Sequence, residues 1–313
     1  MKKFSKKSIL LIIAAIVIII GTILYFAAPS YLYNKAIDGL RKDAKLTIKS
    51  VNIPDFKIVY AEGGTGDIII MLHGFGGNKD NWLRFAKYFT PNYRVIIPDL
   101  PGFGDSSKPQ DAKYNIMSQV ERLNLFVKEL KLTKFHIVGN SMGGSISGNY
   151  AATYPEMVKT LALFDSAGVN SPIKSERALL LEKGINPLVA KDEKGYDKLL
   201  EICFYKPPQL PSVIKKYLAK QAIKDASLNE KIYNEITNTD LTVLEGKLNK
   251  ITVPTLIVWG DSDKVIDVSS VPIFKKNIRN SQSAIIKECG HLPMMEKPQE
   301  TASIYQDFLK GKN

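Results

Sequence analysis

Two cysteines in 313 residues, Cys203 and Cys289, are too few to build a disulfide framework. Histidine is almost as scarce: His73, His136 and His291 are the whole supply, and no spacing among cysteines and histidines suggests a metal site. No internal repeat and no low-complexity tract appears. Acidic residues are outnumbered, 31 against 43 basic, for a net charge of +12. Residues 1–50 alone hold nine basic and two acidic residues, which leaves the rest with only +5. The positive excess is therefore local, and a nucleic-acid role has little support.

That local excess flanks the longest apolar run. Ser8 to Asn34 contains no charged residue, and Ile9 to Ala28 is almost wholly apolar. At about 1.5 Å per residue in a helix, this run spans roughly the 30 Å hydrocarbon core of a bilayer. Lys2, Lys3, Lys6 and Lys7 precede it, and Tyr25, Phe26, Tyr31 and Tyr33 suit the far interface. A cleaved signal peptide competes with this reading. Its apolar region would be long, bulky Phe26 would stand three positions before a cut after Ala28, and Pro29 would follow the cut. An uncleaved single-pass anchor is the expectation, with a stalk to residue 50. The dense N-terminal lysines favour an extracytoplasmic catalytic domain, although Lys35, Arg41, Lys42 and Lys45 nearly balance them. Anionic headgroups would attract these residues.

Beyond the stalk, strand and helix signals alternate as a parallel α/β sheet requires. Strands are expected at Ile58 to Ala61, Ile68 to Leu72, Arg94 to Ile97, Phe135 to Val138, Thr160 to Phe164, Thr255 to Trp259 and Ala284 to Lys287. Helices are expected around Asn81 to Phe89 and over Ile116 to Leu130, whose apolar residues repeat on one face. Between Asp165 and Lys250 the alternation stops. Helix patterns at 176–183, 196–204, 211–226 and 229–237 replace it, as in an insertion placed over the sheet's carboxyl edge.

Gly139-Asn140-Ser141-Met142-Gly143 lies where a buried strand gives way to a run of small and apolar residues that reads as a helix. Such a strand-turn-helix exposes the serine hydroxyl at a strained turn, and flanking glycines leave room for it. A serine nucleophile needs a base and a carboxylate behind that base. His73 and His136 are placed by local structure, in a glycine-rich turn and at a strand start. His291, in a loop near the C-terminus, is the candidate base. The carboxylate should follow the strand Thr255 to Trp259, where Asp261 and Asp263 compete. Asp261 directly after Gly260 suits a turn cap, and Asp263 is better placed to reach the imidazole. Asp267 reads as a helix cap, and Asp165, after the strand Thr160 to Phe164, is an outside alternative. The turn His73-Gly74-Phe75-Gly76-Gly77 can aim the backbone N–H of Phe75 at the serine, with the N–H of Met142 as second oxyanion donor.

The runs LHGFGGNKDNW, IIPDLPGFGDSSKP, VGNSMGG, VWGDSD and GHLPMMEKP, taken in order from about Phe56 to Leu309, resemble the alpha/beta-hydrolase superfamily. Within it the chain looks most like membrane-anchored monoacylglycerol lipases and bacterial serine esterases and lipases. The resemblance implies a mostly parallel, doubly wound sheet with a helical cap at about 166–250, all within a domain 51–313. It implies a Ser141–His291–Asp263 triad acting on carboxylic esters, lipid-like ones above all, with no metal or organic cofactor. Carbon-carbon bond hydrolases of the meta-cleavage-product type share a similar elbow, and a slow ligand sensor on the same scaffold is the third reading. Serine at the elbow argues against dehalogenases and epoxide hydrolases, whose covalent chemistry needs a carboxylate.

Overall fold

In the computed structural model the described residues are 28–238 and 243–311. The anchor expected at 9–28 lies outside them, apart from Ala28. Among the described residues no helix is long and apolar enough to cross a membrane. Helix α1 (28–43) packs Ile37 and Leu40, three residues apart on one face, against the core. Arg41 fixes it further by forking onto Asp80, Nε to Oδ1 at 3.0 Å and the second arm to Oδ2 at 2.7 Å. The helix stops in a paired C-terminal turn, with Lys45 in the left-handed region (φ 52) and Leu46 N–H donating to Arg41 O at 2.9 Å.

From there the chain runs β1 (Thr47–Ile53), β2 (Phe56–Gly63), β3 (Asp67–Leu72), α2 (Leu83–Ala86), β4 (Tyr93–Pro98), α3 (Ile116–Glu129), β5 (Phe135–Asn140), α4 (Met142–Thr153) and β6 (Val158–Phe164). Four helices follow, α5 (Glu176–Glu182), α6 (Glu193–Cys203), α7 (Ser212–Lys224) and α8 (Ala226–Asn238). β7 (Thr255–Gly260), α9 (Val271–Asn277), β8 (Ser281–Ile286), α10 (Pro293–Glu296) and α11 (Pro298–Leu309) close the chain. The eight strands form one sheet in the order β1-β2-β4-β3-β5-β6-β7-β8. Only the pairs made by β2 are antiparallel. Helices cover both faces, so β5 and β7 are buried along their whole length, including the polar His136 and Asn140 of β5.

Strand β1 departs from the sequence reading. Residues 47–50, assigned to the stalk, are its first half. TIKSVNI exposes most of its side chains at the sheet edge, so no apolar alternation announces it. The helix expected around Asn81 to Phe89 is shorter, a 3-10 turn at Lys79–Trp82 running into α2. Helices α5 to α8 stand between β6 and β7, where the alternation stops. Ile202, Leu228, Ile232 and Ile236 join the main core, and Ile232 reaches the loop after β4, where a Cβ on Gly102 would lie 2.8 Å from its Cδ1.

Candidate active site

Ser141 sits between β5 and α4 with φ 55 and ψ −118, a conformation that costs an L-residue of order 1–3 kcal/mol. Its neighbours over-determine it. Its N–H donates to Phe164 O at 3.0 Å, and its own carbonyl accepts from Ser145 N–H at 3.1 Å and Ala167 N–H at 3.0 Å. The flanking glycines are sterically required: a Cβ on Gly139 would lie 2.1 Å from Gly143 O, and one on Gly143 would lie 2.4 Å from Leu72 O. Helix α4 begins at Met142, whose amide is one of the unpaired N–H groups of a first helical turn. The His73–Gly77 turn lies alongside, since a Cβ on Gly74 would come 3.1 Å from Ser141 Cβ. Neither Phe75 N–H nor Met142 N–H donates to a backbone carbonyl among the described residues.

His291 and Asp263 are buried, and His291 Nδ1 lies 2.8 Å from Asp263 Oδ2. The other carboxylate oxygen, Oδ1, accepts from Val265 N–H at 2.7 Å and Ile266 N–H at 3.1 Å, which fixes its plane. Asn140, next to Ser141, holds the loop of His291 by donating Nδ2 to His291 O at 2.9 Å. No hydrogen bond joins Ser141 Oγ to His291 among the described residues, and such bonds commonly tighten only around substrate. Of the rival acids, Asp261 accepts from Ser262 Oγ and Asp267 caps a 3-10 turn through Ser269 N–H. Asp165 does converge with Asp263 and His291, with one oxygen or nitrogen of each within 4.8 Å of the others.

The family described as the alpha/beta hydrolase fold matches residues 67–200 and 186–298. Lipase 1 of Psychrobacter immobilis is 41% identical over 281 residues, 88% of each chain. The monoacylglycerol lipase ABHD6 of Mus musculus is 33% identical over 305 residues, 92% of this chain and 91% of that one. A solved membrane phospholipase A, described as a bacterial virulence factor, superposes with a TM-score of 0.92 at 42% identity, covering 98% of this chain and 99% of its own. The chain belongs to the alpha/beta-hydrolase family. With lipases as its named relatives, the hydrolase is an ester hydrolase of the lipase and esterase type.

Three groups around the hydrolase's site have no local signature in the sequence. Lys79 is the first, a fully buried lysine whose Nζ meets Asp99 Oδ2 at 2.8 Å and Asp105 Oδ2 at 2.5 Å. Burial would lower its ammonium, but Asp99 and Asp105 outweigh that and hold it above its ordinary value. The pair ties the His73–Gly77 turn to the loop after β4. His73 adds a second tie, with Nδ1 2.7 Å from Gly74 O and Nε2 accepting from Leu100 N–H at 3.0 Å; this fixes the tautomer, and burial depresses protonation.

Glu296 is the second. Its oxygens accept from Gly290 N–H at 2.9 Å and Tyr205 N–H at 2.8 Å, while His291 N–H donates to Cys203 O at 2.9 Å. The loop of His291 is thus bonded to the chain leaving α6. The insertion also reaches the other parts of the site. Tyr233 of α8 packs edge-on against Phe75 at 5.6 Å, and Arg177 of α5 donates to Val265 O, two residues from Asp263, at 3.0 Å. The third is Asp165, weighed in the sequence only as a substitute acid.

Proposed function

We propose that the hydrolase cleaves lipid-like carboxylic esters through an acyl-enzyme, with Ser141 as nucleophile, His291 as base and Asp263 as the acid behind it. The observation that carries this reading is the buried 2.8 Å pair of His291 Nδ1 and Asp263 Oδ2 beside a serine strained at φ 55. With both Asp263 Oδ1 lone pairs taken by amides, Oδ2 accepts the Nδ1 proton and leaves Nε2 free to take the proton of Ser141 Oγ. The amides of Phe75 and Met142 receive the oxyanion, and the protonated imidazole returns its proton to the leaving alcohol. Water then repeats the sequence on the acyl-serine. No metal or organic cofactor enters any of these steps.

The lipid preference draws on the names of the relatives, lipases, monoacylglycerol lipases and a membrane phospholipase. The same names do not favour carbon-carbon cleavage. In this reading residues 9–28 form a single-pass anchor, the body at 51–313 faces the extracytoplasmic side, and the insertion at about 166–250 is a cap over the site. Its bonds to the base loop, the acid loop and the Phe75 turn support a cap.

A test compares the full chain with one beginning at Ala28, which keeps α1 and its Arg41–Asp80 fork. Both should hydrolyse soluble short esters alike, while only the full chain should turn over long-chain monoacylglycerol presented in vesicles. Equal rates on vesicle lipid, or acetyl and butyryl esters outpacing every longer chain, would leave a general esterase.

A further inference from the structure

Asp165 follows β6 in the left-handed region, φ 44, a conformation that favours glycine. Its N–H donates to Val258 O at 2.9 Å, and its wholly buried carboxyl points Oδ1 at Gly260 N–H, 2.9 Å away, so that the ends of β6 and β7 hold it. Oδ2 has no hydrogen-bond partner among the described residues. The nearest candidate is the carboxylate of Asp263, since oxygens of the two acids and a ring nitrogen of His291 lie within 4.8 Å of one another. Two buried carboxyls at that range do not both ionise. Asp263 has two amide donors and the imidazole to stabilise its charge, and Asp165 has one amide. Burial first, then the Asp263 carboxyl, push Asp165 well above the ordinary carboxylate range. Of the other titratable groups at this spot, Glu296 disfavours further negative charge on Asp165, while burial first, and then these carboxyls, hold the Cys289 and Cys203 thiols neutral.

We propose that Asp165 is protonated in the resting hydrolase, hydrogen-bonds through that proton to the Asp263 carboxylate as a positioning residue, and becomes the partner of His291 when Asp263 cannot accept. The inference rests on the assignment of His291 and Asp263 under the proposed function. In Asp263→Asn the amide oxygen must still serve Val265 and Ile266 N–H, so the amide nitrogen faces the imidazole and opposes the productive tautomer. Removing the Asp263 charge lets Asp165 release its proton to solvent, and the resulting carboxylate can accept Nδ1–H.

The experiment measures kcat/KM on a soluble short ester between roughly pH 5 and 9 for wild type, Asp165→Asn, Asp263→Asn and the double variant, with circular dichroism to establish folding. Asp165→Asn keeps an acceptor for Gly260 and an N–H donor for Asp263, and should lower kcat/KM about threefold. Asp263→Asn should exceed the double variant by at least about tenfold at the alkaline end, with an activity that rises with pH through an ionisation above the usual carboxylate range. Folded single and double Asp263 variants that are equally slow at every pH would overturn the inference while leaving the triad standing. Full activity in both would instead remove the triad reading itself.

Discussion

Replacing Ser141 with glycine should make the hydrolase inactive and more stable. At φ 55 and ψ −118 the serine occupies a region that glycine enters without steric penalty, so the substitution releases a strain of about 1–3 kcal/mol. Against this stands the greater freedom of glycine in the unfolded chain, about 0.4–1 kcal/mol. The net gain lies between about 0 and 2.6 kcal/mol and centres on about 1 kcal/mol, or roughly 2–4 °C in Tm for a domain of this size. Ser141→Ala is the control, because it removes the same hydroxyl and keeps the Cβ that is strained. The backbone bonds of residue 141 to Phe164, Ser145 and Ala167 survive in both variants. Thermal unfolding of the three purified proteins in one detergent, followed by circular dichroism, reads the difference. The strain argument requires glycine to melt above both alanine and wild type. If glycine and alanine melt together, or glycine melts lowest, the strained turn stores no energy and the reasoning is wrong.

Lys79→Met should cost about 3–5 kcal/mol of unfolding free energy in urea titration, because the fully buried Asp99 carboxylate keeps its backbone N–H donors from residues 79 and 105 but loses its counter-charge. A cost below about 1 kcal/mol would mean that Asp99 had taken up a proton or water without penalty. Asp261→Asn should lower ester turnover by less than about tenfold, whereas Asp263→Asn lowers it by well over a hundredfold at neutral pH; the reverse order would hand the acid's role to Asp261. Burial, then Lys159, hold His136 down to about 4 from the ordinary 6.5. The unfolded chain therefore binds this proton first, and stability contributed by neutral His136 is present above pH 6.5 and lost as pH falls toward 4. His136→Gln should flatten the stability profile across that window, and an unchanged profile would remove His136 as its source.

The elbow is legible in the sequence because its sterics are written in residue types. Only glycine fits at 139 and 143, where backbone carbonyls of Gly143 and Leu72 approach within van der Waals contact, and those two residues mark the turn wherever they occur beside a buried strand. The four insertion helices are legible for a related reason, since each keeps an apolar face at helical spacing. Lys79 is not. In the run Asn78-Lys79-Asp80-Asn81 it looks like a solvated lysine, and its partners stand 20 and 26 residues away on another loop. Buried acids share this opacity. Glu296 and Asp165 are defined by the backbone N–H groups that reach them from Gly290, Tyr205 and Gly260, and no local pattern announces such long-range partners. Strand β1 was hidden by its exposed edge position.

The central claim is that Ser141 is the nucleophile of an ester hydrolase, and covalent capture tests it most directly. The full chain is treated with a fluorophosphonate, digested, and the labelled peptide sequenced by mass spectrometry. The account predicts a single phosphonyl adduct on Ser141, lost together with ester turnover in Ser141→Ala while the fold is retained. An adduct on a different residue, or ester turnover that persists in folded Ser141→Ala, would contradict it.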